Sequence, residues 1–116
     1  MNEFRFNEEK DKFLIFQRGF GFKKIINEIE KGNVIEVIKH PNKKKYHNQK
    51  MYLIKIEQQI VVVPYVEEIN YIFLKTIYPS HKYTRKYLDK KLQVKKVYKE
   101  AVTKIITKDN YLDFLL

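Results

Sequence analysis

The sequence predicts an α+β domain: two N-terminal helices packed on a four-stranded antiparallel sheet, with a long C-terminal helix. Three observations predict it. Apolar residues recur at helical spacing before Gly32 and again beyond Thr84. Between them, β-branched and aromatic runs are separated by short turns, which is the signature of a meander. A chain of 116 residues, 44% hydrophobic and 15% aromatic, suits one domain with a single core.

The elements follow in order. Phe4 and Phe6 alternate with polar residues, which predicts a short opening strand. Asn7 is the candidate N-cap of the first helix, and Glu8 and Glu9 suit its positive end. That helix would carry Phe13, Leu14 and Phe16 and stop at Arg18-Gly19, with Gly19 as a left-handed exit. Phe22, Ile25, Ile26 and Ile29 fall at i, i+3, i+4 and i+7, a one-faced second helix ended by Gly32.

Val34, Val37 and Ile38 lie in a short strand that ends at His40-Pro41. Met51 to Ile56 and Ile60 to Val66 are the next two strands, with a tight turn near Gln58. Pro64 inside the second of these implies an edge or a bulge. Tyr71 to Tyr78 is the fourth strand, after a turn at Glu67-Glu68-Ile69-Asn70. Ile60 to Val63 has no polar position, so the sheet needs cover on both faces: the N-terminal helices on one, the C-terminal helix or a partner on the other. Thr84 is the candidate cap of that last helix, through Tyr87, Leu88, Leu92, Val94, Tyr98, Ala101, Val102 and Ile105. Asp109-Asn110 then breaks it before an apolar end, Tyr111 to Leu116. The domain is thus expected over residues 1–88, with 89–116 as its helical extension.

Composition narrows the function. No run of eighteen apolar residues is present, and Met1 to Phe6 lack an apolar signal-peptide core. There is no cysteine, hence no disulfide and no thiolate metal site. A cytoplasmic protein without a membrane partner is the expectation. The net charge is +10, from 24 Lys and Arg against 14 Asp and Glu, which calls for an acidic partner such as nucleic acid. Lysine outnumbers arginine and Asn and Ile are abundant, as in proteins from AT-rich genomes, so codon bias on a solvated surface is the competing reading of the charge. Its distribution argues for a basic face as well. Lys39, Lys43, Lys44, Lys45, Lys50 and Lys55 occur with no acid among them, and residues 75–99 hold nine basic residues against Asp89 alone.

Two clusters carry chemistry. The first, Lys39 to Lys50, contains His40 and His47 among lysines and an Asn-Gln pair. Three neighbouring lysines ordinarily mean a solvated loop, but His40 directly follows a strand, and strand ends hold side chains still. The second follows the last strand: Ser80, His81, Lys82, Tyr83, Arg85, Lys86 and Tyr87. Adjacent Ser80 and His81 do not form a nucleophile pair, and no Gly-rich elbow is present. His40, His47 and His81 lack metalloprotease spacing, and the lysines around them would repel a cation, so no metal or cofactor is expected. Gly19 and Gly21 do not make a phosphate loop. Metal-independent work on phosphodiesters remains. RNA brings its own 2′-hydroxyl as nucleophile, and the protein supplies a base, an acid and cations. Histidine carries protons near neutral pH, Arg clamps phosphate in bidentate fashion, and Tyr stacks bases or donates a proton. The same residues would also serve a protein that binds phosphates without cutting them.

From about Phe4 to Leu88 the chain resembles the BrnT-type toxins of bacterial toxin–antitoxin pairs, a branch of the RelE/ParE-like group. The resemblance rests on four stretches in order: Phe6-Asn7-Glu8-Glu9-Lys10; Arg18-Gly19-Phe20-Gly21-Phe22; the strand into His40-Pro41-Asn42; and Ile77-Tyr78-Pro79-Ser80-His81-Lys82. It implies a curved antiparallel sheet with helices at its N-terminus, metal-independent cleavage of RNA, inhibition of translation, and neutralisation by an antitoxin that also binds operator DNA. Carried over by position, Lys45, Lys50, Lys75, His81 and Arg85 would line the substrate face. His81 stands where relatives more often carry arginine. The chain also continues to Leu116, where such toxins usually end soon after the final motif.

The expectation is therefore a toxin endoribonuclease that cleaves RNA, on the ribosome or free. His81, His40 and Arg85 would be catalytic, and Lys45, Lys50, Lys75, Lys82 and Lys86 would contact the substrate. The rival is a non-catalytic module of the same fold that binds nucleic acid or protein. A further expectation makes Leu112, Phe114, Leu115 and Leu116 the latch of a homodimer or partner contact, against ordinary core packing.

Overall fold

The computed structural model describes residues 3–88. The order is β1 (Glu3–Arg5), α1 (Glu8–Arg18), α2 (Phe22–Glu30), β2 (Val34–Lys39), β3 (Gln49–Ile56), β4 (Gln59–Glu67), β5 (Tyr71–Leu74), β6 (Tyr78–Pro79) and α3 (His81–Leu88). The class is α+β, as expected. The long continuation of the last helix, the 89–116 extension and the apolar tail lie outside the described residues.

The sheet differs from the expected four-stranded antiparallel one. Its path is β1-β5-β4-β3-β2, with β6 also on β4. The sheet is mixed, because β1 runs parallel to β5, Phe4 opposite Ile72. The fourth strand is split: β5 pairs with Tyr65–Glu67 of β4, and β6 pairs with Val61 and Val62 further back. Pro64 explains the split. Its carbonyl accepts the Lys75 N–H at 2.8 Å, so the position that lacks an N–H faces the neighbour strand, where regular pairing stops. Pro64 thus sits in a central strand, at the irregularity that its ring imposes. The β3–β4 turn is Glu57-Gln58, with Glu57 left-handed at φ 56°.

Both faces of the sheet carry apolar cores. On one, Tyr52, Ile54, Val61, Val63 and Leu74 pack against Leu14 of α1 and Phe22 and Ile25 of α2. On the other, Met51, Leu53, Ile60 and Val62 pack against Ile38, Tyr83, Tyr87 and Leu88, so α3 supplies the second cover. Ridges of α1 meet the core narrowly: Leu14 is buried, whereas Phe13, Ile15 and Phe16 are exposed, Phe16 at 90%. Of the three apolar residues that the sequence put on α1, Phe13 and Phe16 therefore lie outside the core.

Three caps fix the helix pair. The Asn7 side chain accepts the Lys10 N–H, and Gly19 closes α1 at φ 85° with its N–H on the Ile15 carbonyl. Buried Asp11 takes the role of an N-cap for α2, its Oδ1 accepting the Phe22 N–H at 2.7 Å. At the other end of α2, the Glu28 carboxylate accepts from Asn33 at 2.8 Å and pairs with Lys24 at 3.1 Å. The Asn33 hydrogen bond, then Lys24, holds its pKa below the usual carboxylate value. No helix among the described residues is long and apolar enough to cross a membrane.

Candidate nucleic-acid interface

The end of β6 and the start of α3 form the first basic centre. Sequence reasoning put the cap at Thr84, but the helix starts three residues earlier. Ser80 Oγ accepts the Tyr83 N–H at 3.2 Å, and the Ser80 carbonyl accepts the Thr84 N–H at 3.0 Å. Thr84 does something else. Its hydroxyl donates to the Ser80 carbonyl at 2.6 Å and accepts the Ile60 N–H at 2.9 Å, hooking α3 to β4. Ser80 N–H donates to the Ile60 carbonyl at 3.0 Å, so both polar groups of Ile60 on that side are engaged by the helix start.

With α3 held this way, Tyr83 and Tyr87 turn to the sheet, and the Tyr87 hydroxyl meets Glu36 of β2. At about 100° per residue, His81, Lys82, Arg85 and Lys86 then fall within about 140° on the opposite side of the helix. All four are exposed. His81 and Arg85 are i,i+4 neighbours, with Cβ atoms about 6 Å apart. The ion pairs among the described residues are Arg5–Glu3, Lys24–Glu28 and Lys50–Glu67, so no described acid neutralises this face. Tyr78 stands at its foot, with its hydroxyl 3.7 Å from Met51 Sδ. Burial, and then Tyr83, pushes the Tyr78 phenol above the usual tyrosine value, so it is a neutral hydrogen-bond donor.

The second basic centre lies at the other end of the sheet. The His40 N–H donates to the Gln49 carbonyl at 3.1 Å, and Gln49 lies opposite Val66. From Ile60, beside the start of α3, to Val66 is six residues of one strand, or about 20 Å. The register therefore separates His40 from His81, and the predicted proton-carrying pair does not share a site. Lys45 and Lys50 go with His40. Lys50 pairs with Glu67 at 3.6 Å, and the Lys45 ammonium lies 5.1 Å from the Tyr46 ring centroid. Lys75 stands between the centres, next to Pro64, with its ammonium 5.5 Å from the Phe73 ring centroid.

At this second centre the loop after β2 and the end of β4 enclose an open cleft of about 490 Å³. Lys39, His40, Lys43 and Lys50 line it together with Glu67 and Glu68. His40 is held in place. Its Nδ1 accepts the Asn42 N–H at 3.1 Å, which places the proton of the neutral ring on Nε2. Its ring packs on Tyr46, with centroids 4.3 Å apart. His47 is exposed on the same loop.

Sequence reasoning missed three contributors. Tyr46 was read as part of a solvated run, and Tyr78 as the end of a strand. Asp11 gave no signal as a cap, because it sits eleven residues from the amide it engages. The Pro79-Ser80 step before the Tyr83/Tyr87 spacing could have located the true helix start. Comparison with family models, with curated proteins and with solved structures finds no match for this chain.

Proposed function

We propose that this protein is the toxin of a toxin–antitoxin pair, a metal-independent endoribonuclease of the BrnT-like, RelE-related kind that cleaves RNA by 2′-hydroxyl attack and so blocks translation. The observation that carries the proposal is the basic face of α3, where His81, Lys82, Arg85 and Lys86 project together from a helix pinned at Ser80 and Thr84, with no acid on it among the described residues. In this reading His81 takes the 2′-hydroxyl proton. Arg85 clamps the phosphate and offsets the charge of the pentacoordinate transition state, and Lys82 and Lys86 supply further positive charge. Tyr78, three residues before His81, is the second group that could offer a proton, since His40 lies at the other end of the sheet; its hydroxyl would have to turn from Met51 to do so. His40, Lys45 and Lys50 contact RNA away from the chemistry, with Lys75 between. The partners are RNA, on the ribosome or free, and a cognate antitoxin, in the cytoplasm.

A second reading has one observation in its favour. Separating His40 from His81 leaves a single histidine at the α3 centre, which suits a module that binds nucleic acid without cutting it. Incubation of the full chain with labelled RNA in excess EDTA, scored for 2′,3′-cyclic phosphate ends, decides between them. The ribonuclease reading expects cyclic ends that fall about 10²–10⁴-fold in His81→Ala. It expects a loss of only a few-fold in His40→Ala. RNA bound with steep salt dependence but never cut, free or on ribosomes, would establish the binding module instead.

A further inference from the structure

We propose that the cleft behind the β2–β3 loop is a base-stacking subsite for single-stranded RNA, reached by one strand that runs from the α3 face along the half-buried strip of sheet beside it. The proposal rests on the nucleic-acid reading above and adds the form of the substrate: an unpaired strand long enough to span both centres.

The floor of this path follows from strand register. Val66 lies opposite Gln49 on one side and Phe73 on the other, and the His40 N–H meets the Gln49 carbonyl. Phe73, Val66, Gln49 and His40 therefore form a row across four strands. By the two-residue period, Val66 shares its face with Pro64 and Val62, the face that α3 covers further along. Rows under α3 are sealed, with Leu53 and Ile60 at 0% exposure, whereas every member of the Val66 row is only half-buried. Among the described residues, the Lys75 ammonium stands over the Phe73 ring and the Tyr46 ring packs on His40, and the row keeps part of its surface exposed.

Along this path, aromatic rings and cations recur together. Tyr78 stands at the foot of α3, Lys75 lies by the Phe73 ring, and Tyr46 is packed on His40 with Lys45 beside it. Rings that present a face, with cations spaced for a backbone, are what a single strand binds without base-specific hydrogen bonds. A duplex keeps its bases stacked inside and would meet only the lysines. The fixed tautomer of His40 suits the same task, since its Nε2–H points away from the Asn42 amide and can donate to a phosphate or a base edge. The two centres, about 20 Å apart along β4, call for a strand of roughly four nucleotides or more.

The test uses the full chain and 2′-O-methyl RNA, which cannot be cut, so binding is read whether or not the protein is catalytic. Fluorescence anisotropy compares a dinucleotide, a single strand of about twelve nucleotides and the matching duplex. The wild type is expected to bind the single strand far more tightly than the dinucleotide. Tyr46→Ala is expected to weaken that binding by between about five-fold and one-hundred-fold, the loss of one stacked base. Tyr46→Phe keeps the ring and is expected to stay within about two-fold of wild type. Lys43→Gln, at the exposed rim of the same cleft, guards against a collapsed loop: it is expected to lower the salt slope by about one phosphate contact. Single-strand binding that is unchanged in both Tyr46→Ala and Lys43→Gln overturns the subsite and leaves the α3 centre intact. Equal affinity for duplex and single strand overturns it as well. A wild type that binds no RNA removes this inference together with the nucleic-acid reading on which it rests.

Discussion

Adding one methyl group at Gly21 is expected to unfasten the helix pair. The Gly21 backbone, at φ −126° and ψ −157°, is extended and open to any residue, so the glycine is not there for its conformational freedom. It is there for space. A Cβ at this position would collide with Asp11 Oδ1 and come within 2.9 Å of Ile15 Cγ1. Asp11 is only 6% exposed, and the same Oδ1 accepts the Phe22 N–H that opens α2. Gly21→Ala therefore displaces the carboxylate and orphans a buried amide. A hydrogen bond to a charged group is worth about 1.5–3 kcal/mol, and Gly21→Ala is expected to cost about 2–3 kcal/mol. Asp11→Ala breaks the same bond and is expected to cost about 2 kcal/mol. Because both changes remove one interaction, the double variant is expected to be little worse than either alone, a coupling of about 1–2 kcal/mol. Urea denaturation of the four proteins measures this directly, and thermal melts of Gly21→Ala are expected to fall by about 10 °C. A Gly21→Ala protein within about 0.5 kcal/mol of wild type, or losses that simply add, would show that Asp11 does not cap α2.

Two further outcomes are expected. Thr84→Val keeps the side-chain shape but leaves the Ile60 N–H and the Ser80 carbonyl without the hydroxyl between them, at a cost of about 1–3 kcal/mol in urea melts. Cyclic-phosphate formation is expected to fall as well, since the hook aims His81 and Arg85; full activity in a destabilised Thr84→Val would detach the hook from the site. The stacked Tyr52 and Tyr65 rings, 4.1 Å apart, give an alkaline signature, because burial pushes both phenols above the ordinary value of 10. Their contribution is whole below pH 10, where folded and unfolded chains are both protonated, and is lost as the pH rises from there toward the folded values. Tyr65→Phe is expected to flatten that loss in urea midpoints taken at about pH 8 and about pH 11; an unchanged decline would assign it to other groups.

The sequence exposes what local chemistry determines and hides what the chain does at long range. Asn7 and Gly19 announce the ends of α1 because each acts within four residues of itself. The spacing of Phe22 and Ile25 finds the buried side of α2 for the same reason. On α1 that logic fails, since Leu14 is buried while Phe13 and Phe16 are not. Which apolar residue reaches the core depended on how closely Gly21 let the two helices approach. The parallel pairing of β1 joins Phe4 to Ile72, which no window along the chain could reveal. The residue types of the candidate site were readable, but their grouping was not. His40 and His81 each follow a strand, and only the register of β3 with β4 shows that those strand ends point to opposite ends of the sheet.

The same register sets the course of α3 over this face. Strands are about 4.8 Å apart, and the described turns of α3 lie across them, from Ile60 on β4 to Glu36 on β2. Across its own width, about 10 Å, it shields about three residues of each strand. In β4 that accounts for Ile60 to Val62, and the Val66 row lies beyond the side of the described turns. The crosswise course is set by Ser80 and Thr84, which tie the helix start to Ile60, and by Tyr87, which ties it to β2. Three small polar contacts thus do two things together. They turn four basic side chains outward, and they keep the described turns of α3 off the strip of sheet that connects those side chains to the loop holding His40 and Tyr46.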